Sequence, residues 1–376
     1  MTTFGELVDW LHGHYPPGTA EPWDRVGVVC GEPDRAVSRV LLTVDVTPDI
    51  VAEARGIGAQ AIIAHHPLLL RGVHGIDPRT PKGRMVTDLV SWRIGLVCAH
   101  TNADIGPYGT VAALAAALGL QDTRPLRPRP APALDKLVTF VPAEQTDAVV
   151  DALAAAGAGA IGDYDRCHFT TAGTGSFRPL PGATPYLGEV DRVERVAEDR
   201  VELVLPREQR SGVLRALLAA HPYEEPAWDL FELAGTDATD VGMGRIGTVP
   251  PTTLGAFAEH VASQLPATAV GVRVAGDPDR AVRTVAIQAG AGDDLLDVAR
   301  ERGADAYLTS DLRHHPASEA RCWQDAPALL DVAHWAAEWT WLPVLRDLLG
   351  RDDSGTGALD VVVSEINTDP WTAVRR

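Results

Sequence analysis

Apolar residues recur at Phe4, Leu7, Val8, Trp10 and Leu11, a helical spacing that predicts a short amphipathic helix over 4–14. Pro16, Pro17 and Gly18 then turn the chain. SRVLLTVDV (38–46) is apolar and rich in Val, Leu and Thr, and reads as a buried strand. TPDIVAEARGIG starts on Thr-Pro and stops on glycine, which predicts a helix capped by Thr47. AQAIIAHH is a second buried strand that ends in two histidines, and LVCAH, after the helical TPKGRMVTDLVSWRIG, is a third strand ending in His100. GTVAALAAALGL closes the series as a helix. Alternating strands and helices imply an α/β unit with a mostly parallel sheet.

The texture changes at 121–133, where DTRPLRPRPAPA is Pro- and Arg-rich and reads as a linker. KLVTFVPAEQTDAVVDALAAAGAG reads as strand, loop and helix, HFTTAGTGSFRPLPGATPYLG as loop-rich, and RVELVLP, REQRSGVLRALLAAHP and AWDLFEL as strand, helix and strand. That order suggests a ferredoxin-like β-α-β-β-α-β module. A glycine-rich return, GTDATDVGMGRIG, leads back to the α/β pattern.

The resumed part repeats the first. At an offset of 245, Val40, Asp49, Ala54, Arg55, Gly58, Ala59 and Ala61 fall on Val285, Asp294, Ala299, Arg300, Gly303, Ala304 and Ala306. His65-His66 then lies opposite Ser310-Asp311. A second match, at an offset of 234, sets GLVCAHTNAD on LLDVAHWAAE, so that His100 meets His334 and Asp104 meets Glu338. The expected fold class is therefore α/β. Two related halves, 1–125 and 240–376, form one domain interrupted by an insert at 133–238.

Composition adds little to that picture except through charge. Hydrophobic residues make up 45% of the 376 and charged residues 22%, an ordinary globular balance. The formal charge of −18 disfavours nucleic-acid backbones and anionic membranes and suits a protein that attracts cations. The basic residues Arg124, Arg127 and Arg129 are the nearest thing to a nucleic-acid patch, so that class ranks last. Cys30, Cys98, Cys167 and Cys322 form no CxxC pair and read as single thiols. With no basic start before an apolar run and no apolar stretch of about 18 residues, the expected location is the cytoplasm.

The chemistry gathers at strand ends, where sites form in parallel α/β sheets. His65 and His66 follow one strand, and Asp104 lies just past the next. His334 and Glu338 follow ALLDV at the start of a helix, four apart and so on one face. Imidazoles with carboxylates suit Zn, Fe, Mn or Ni. Three nitrogens and two carboxylates are too many for one tetrahedral zinc with an open position, and suit two ions about 3.5–4 Å apart. His100 is either a ligand or a group orienting one, and the second is the expectation. The doublet His314-His315 either acts on substrate as acid or base or lies on a solvated loop. Ser310 and Asp311 are candidates to line the pocket. GTGSF (173–177) and GMGRIG (242–247) lack the Walker lysine and read as turns. HPYEEPAWD, with proline on both sides, reads as a rigid structural or interface turn.

EPWDRVGVVCG (21–31), IIAHHPLLLRG (62–72), AHTNAD (99–104), SDLRHH (310–315) and DVAHWAAEW (331–339) together resemble the NIF-three-like family, also labelled GTP cyclohydrolase 1 type 2 homologs. The insert resembles the PII/CutA-like module of its longer bacterial members. The resemblance implies a dinuclear centre on His65, His66, Asp104, His334 and Glu338, with Glu338 bridging the ions. It also implies a toroidal homohexamer with the sites facing an internal cavity. One departure is Arg25, where the family's first motif usually has Asn.

A two-metal site with an open water is hydrolytic by default, with Glu338 and His314 or His315 moving protons. The family label points to a nucleotide such as GTP, with opening of its imidazole ring and release of formate. Phosphoester hydrolysis would use the same centre. The competing class is a non-enzymatic, metal-dependent ring-forming scaffold or regulator.

Overall fold

The computed structural model describes residues 2–235, 240–351 and 359–375. The chain divides into two compact units, one formed by residues 1–129 with 239–376 and the other by 130–238. Part of the glycine-rich return, residues 236–239, lies outside the described residues. Among the described residues no helix is long and apolar enough to cross a membrane.

The first half of the outer unit runs α1 (Phe4–His14), β1 (Gly27–Cys30), β2 (Arg39–Thr43), α2 (Pro48–Gly56), β3 (Ala61–Ala64), α3 (Pro81–Ser91), β4 (Gly95–Cys98), α4 (Thr101–Asp104), α5 (Thr110–Ala117) and β5 (Gln121–Pro128). The insert contributes β6 (Leu134–Pro142), α6 (Thr146–Ala155), β7 (Phe169–Phe177), β8 (Glu194–Pro206), α7 (Arg210–Ala220) and β9 (Trp228–Glu232). The chain then continues through β10 (Gly242–Thr253), α8 (Leu254–Gln264), β11 (Val272–Ala275), β12 (Ala281–Ala291), α9 (Leu296–Glu301), β13 (Ala306–Ser310), α10 (His314–Ala320), β14 (Ala328–Val332), α11 (His334–Trp339), α12 (Trp341–Leu349) and β15 (Asp360–Val363).

The outer unit is mixed α/β, and its two halves make two sheets rather than one. Their orders are β1-β4-β3-β2-β15 and β11-β14-β13-β12-β10-β5. Each holds three consecutive parallel strands, β2-β3-β4 in one and β12-β13-β14 in the other. Each also carries an antiparallel edge strand against the third of these, β1 on β4 and β11 on β14. Both faces of each sheet are covered. Leu41, Ile62 and Leu96 pack with α2 and α3 on one face of the first sheet, and Val40, Ile63 and Val97 pack with α1 and α12 on the other. Helix α5 gives Ala113 to the core of the first sheet and Val111 and Leu114 to that of the second. Helix α11 is shared in the same way through Trp335 and Ala337. These two helices therefore lie between the sheets, which is what brings material from both halves to one place.

Local chemistry explains the element starts. Thr3 and Glu6 form a reciprocal capping box at α1, and Thr47 caps α2 with Pro48 in its first turn. Phe4 then seats α1 in a slot of two glycines, since a Cβ on Gly31 or Gly95 would meet its ring at 2.5 Å.

Three segments differ from the sequence reading. The Pro-rich 121–128 is a strand, β5, at the edge of the second sheet and paired with β10. An edge strand tolerates Pro125 and Pro128 because one side needs no ladder donors. GMGRIG is the start of β10 rather than a turn. A Cβ at Gly242 or Gly247 would meet the backbone of β5 at 2.5 or 2.6 Å, so the glycines permit that close pairing. GTGSF likewise lies in strand β7.

The insert follows the order strand, helix, two strands, helix, strand, in a sheet ordered β7-β8-β6-β9 with every neighbour antiparallel. Its core is one-sided. Leu137, Val201, Leu203 and Leu205 on the sheet pack against Val149, Leu153, Val213 and Leu217 of the two helices.

Candidate metal centre

Five side chains converge at the carboxyl ends of parallel strands. His65 and His66 follow β3, and Asp104 ends the short helix α4 after β4. His334 and Glu338 share one face of α11, which begins two residues after β14. Glu338 is the hub. Its Oε1 lies 2.8 Å from His334 Nε2 and 3.3 Å from His65 Nε2, and its Oε2 lies 3.0 Å from His66 Nε2. Asp104 Oδ1 lies 3.6 Å from His65 Nε2 and accepts a hydrogen bond from the buried Thr110 hydroxyl. His65 is fully buried, and Glu338 is 2% exposed.

Each imidazole is held from behind by its Nδ1. His65 donates to the Ala99 carbonyl at 2.9 Å, His66 to Asp45 at 2.7 Å, His100 to Asp24 at 2.8 Å and His334 to Asp311 at 2.7 Å. A ring that donates through Nδ1 presents Nε2 as a lone pair, the arrangement of metal-ligating histidines. His65 Nε2 and Glu338 Oε2 are buried and make no well-aligned hydrogen bond, although an imidazole or carboxylate atom stands 3.0 to 3.3 Å from each. Buried polar atoms are normally satisfied, so these two mark a place that a cation fits. The ligand atoms of His65, His66 and His100, and those of His66, His334 and Glu338, each gather within 4.8 Å.

The electrostatics agree with that fit. Burial works against the charge on Glu338, but His334, His66 and His65 hold its carboxyl well below the usual range. Burial pushes His66 down, yet Glu338 and Asp45 outweigh it and raise it to about 10. Glu338 and Asp311 raise His334 in the same way against burial. A field that draws protons onto imidazoles also draws a metal cation, which displaces them.

His100 is not placed behind a ligand, as the sequence suggested. Its ring lies 5.2 Å from that of His65 and 5.4 Å from that of His66, with Asp24 behind it. Asp24 is buried and also accepts from the Thr101 backbone and hydroxyl; against burial, the His100 ring first and then these Thr101 groups keep its carboxyl low. Arg25 is exposed and its guanidinium donates to the backbone carbonyls of Pro22 and Asp24.

His314 and His315 are exposed at the start of α10, with ring centroids 5.2 Å apart, and they stand outside the groups of ligand atoms that gather at the cluster. Asp311 takes the place nearer the chemistry, in a left-handed conformation with φ of 56°. Ser310 is buried and donates to the Ala289 carbonyl. The sequence reading did not single out Asp24 or Asp45. Their signal was slight, an acid inside the WDRVG motif and one at the end of a strand. The four cysteines are free.

A model of the Duf34/NIF3 (NGG1p interacting factor 3) family matches residues 2–370. The chain belongs to the Duf34/NIF3 family. A Mycobacterium leprae relative, named GTP cyclohydrolase 1 type 2 homolog, is 47% identical over 368 residues, covering 97% of this chain and 94% of the relative. A Bacillus subtilis relative of the same name is 36% identical over 368 residues, covering 98% and 97%. Among solved structures, a Bacillus cereus protein related to NIF3 superposes with a TM-score of 0.76 at 35% identity, covering 99% of each chain. Within this Duf34/NIF3 chain, the motifs that carried the sequence resemblance are those that build the cluster.

Proposed function

We propose that the protein is a dinuclear-metal hydrolase acting on a nucleotide or another phosphate-containing substrate. The observation that carries this reading is the convergence of imidazole Nε2 atoms on the buried Glu338, each ring held through Nδ1. His65, His66, Asp104, His334 and Glu338 would hold two divalent ions of the Zn, Fe, Mn or Ni type, with His100 beside His65 and His66 as a further donor. Bound there, such ions supply a water of lowered pKa and a clamp for developing negative charge.

The chain's own groups do the rest. Glu338 is anionic and faces three imidazoles, so it can hold or pass a proton at the centre of the cluster. Beside His66 and His334 lies a cavity of about 260 Å³ that also reaches Arg273, Trp335 and Trp371. A guanidinium and exposed indole next to the cluster suit a phosphate and a planar base. Arg273 is anchored by an ion pair with Asp331.

The insert's strand order supports a ferredoxin-like module of the PII/CutA type, and the name of the relatives supports GTP as the first substrate to try. We take the assembly to be a homohexamer, an expectation carried by the family resemblance. The deep burial of His65 and Glu338 favours a second reading, a metal-dependent scaffold in which protein fills the coordination positions.

The test is metal content per chain for wild type and His334→Ala, then hydrolysis of GTP and simple phosphodiesters with metal restored. Two ions lost in the variant together with hydrolysis support the enzyme. Two ions without turnover on any substrate favour the scaffold, and no metal after repletion refutes both.

A further inference from the structure

The helix-free face of the insert's sheet carries a cavity of about 770 Å³, roofed by residues of the segment 178–187 and of the turn 223–227. That is the size of a small-molecule site. Its floor is opened by glycine. Thr171, Gly173, Gly175 and Phe177 alternate onto one face of β7, and a Cβ on Gly175 would collide with Glu198 Oε2. The Glu198 carboxylate therefore lies over the space that a side chain would fill.

Glu198 is 8% exposed and has no ion pair among the described residues; the Tyr223 hydroxyl donates to its Oε1 at 2.8 Å. Aromatic rings stand around it. Phe177 and Tyr186 lie 5.7 and 6.3 Å from Tyr223, centroid to centroid, at interplanar angles of 59° and 52°. His221 fixes Tyr223 from the far side, its ring 5.1 Å away and its Nδ1 accepting from the Tyr223 backbone at 3.1 Å.

The charge around the cavity is unbalanced. Glu224 and Glu225 line it as well, with Glu224 also accepting from the Thr184 backbone at 2.9 Å. Arg200 is committed to Glu202 at 2.8 Å. That leaves Arg178 against three carboxylates. A buried anion without a cation is costly, and tilted aromatic rings beside it offer their negative faces.

We propose that this cavity binds a small organic cation, an ammonium bearing alkyl groups. Its charge rests on Glu198 and its alkyl groups on Phe177, Tyr186 and Tyr223. This site is separate from the metal centre and does not depend on its function.

The experiment is calorimetric titration of the full-length protein with choline and with butylammonium. The neutral isostere 3,3-dimethylbutan-1-ol and the dianion glutarate serve as contrasts. One saturable site per chain is expected for an ammonium, with the neutral isostere at least ~10-fold weaker. Glu198→Gln should weaken binding by about tenfold or more at an unchanged melting temperature. Tyr186→Ala, at a half-exposed ring whose hydroxyl makes no hydrogen bond among the described residues, tests the same site should E198Q fail to fold, and it should also weaken binding. The proposal is overturned if no ammonium saturates, if the neutral isostere binds equally, if glutarate binds in preference, or if neither variant changes the affinity.

Discussion

Gly290 offers a way to disturb the cluster without removing any of its donors. It lies near the end of β12, where a Cβ added by substitution would fall 2.8 Å from Glu338 Oε1 and 3.2 Å from His334 Nε2. Its φ is not positive, so alanine meets no backbone strain there. Ordinary contact for such a pair begins near 3.5 Å, so Glu338 would have to withdraw by at least about half an ångström. The end of a glutamate usually gives way easily, but this one is held by three imidazoles at 2.8, 3.0 and 3.3 Å. Moving it spoils all three relations at once, and sites of this kind tolerate only about 0.5 Å. Gly290→Ala should therefore weaken metal binding by roughly 10–100-fold, the range seen when groups supporting ligands are altered. The cost to the metal-free fold should be that of mild overpacking, about 1–3 kcal/mol. Chelator competition with elemental analysis reads the first effect, and denaturant unfolding in excess chelator reads the second. A G290A protein that holds metal with wild-type affinity and stoichiometry would refute the placement of Glu338 at the hub.

Thr110→Val removes the hydroxyl that donates to Asp104 while keeping its volume, and should cost about 10–100-fold in metal affinity by the same competition assay. Trp341 is fully buried, donates to the Tyr15 hydroxyl at 3.1 Å and packs 5.5 Å from the His65 ring; Trp341→Ala should lose about 3–5 kcal/mol in denaturant unfolding. In the insert, Arg210 and Arg207 hold the buried Asp135 at 2.7 and 3.0 Å and lower its pKa against burial. A depressed carboxylate contributes stability that is complete above its unfolded value, about pH 4, and is lost as pH falls through the folded one. Thermal melting of wild type should therefore decline more steeply below about pH 4 than that of Asp135→Asn, and parallel declines would show that the pair contributes nothing.

The donors were legible because each stands at a strand end or on one helix face, and both patterns are written in local sequence. His65-His66 after AIIA, and His334 four residues before Glu338, need no tertiary knowledge to be noticed. What stands behind the rings was not legible. Asp24 and Asp45 reach His100 and His66 across the fold, and nothing in WDRV or TVDV says which ring they will meet. The doublet His314-His315 had the same local appearance as His65-His66, yet it opens a helix at the surface, while Asp311 just before it turns to His334. The edge strand β5 and the start of β10 were hidden for a different reason. Proline and glycine are turn residues by propensity, and only the partner strand shows that an edge can use the first and a close backbone approach the second. The internal repeat announced two related halves, but not that they would build two sheets that trade edge strands, β15 into the first and β5 into the second, since strand pairing is decided by contacts distant in sequence.

Those shared helices have a consequence for how the protein is made. Four imidazole and carboxylate donors, His65, His66, His100 and Asp104, belong to the first half of the chain, and the hub Glu338 sits on α11 near its end. On the ribosome the early donors emerge and fold with nothing to gather them, and the whole insert is synthesised before their counterpart appears. A chain cut short anywhere before α11 would carry the early imidazoles without the carboxylate at their hub. On the proposed reading, the site that would select a metal is complete only once α11 has been made.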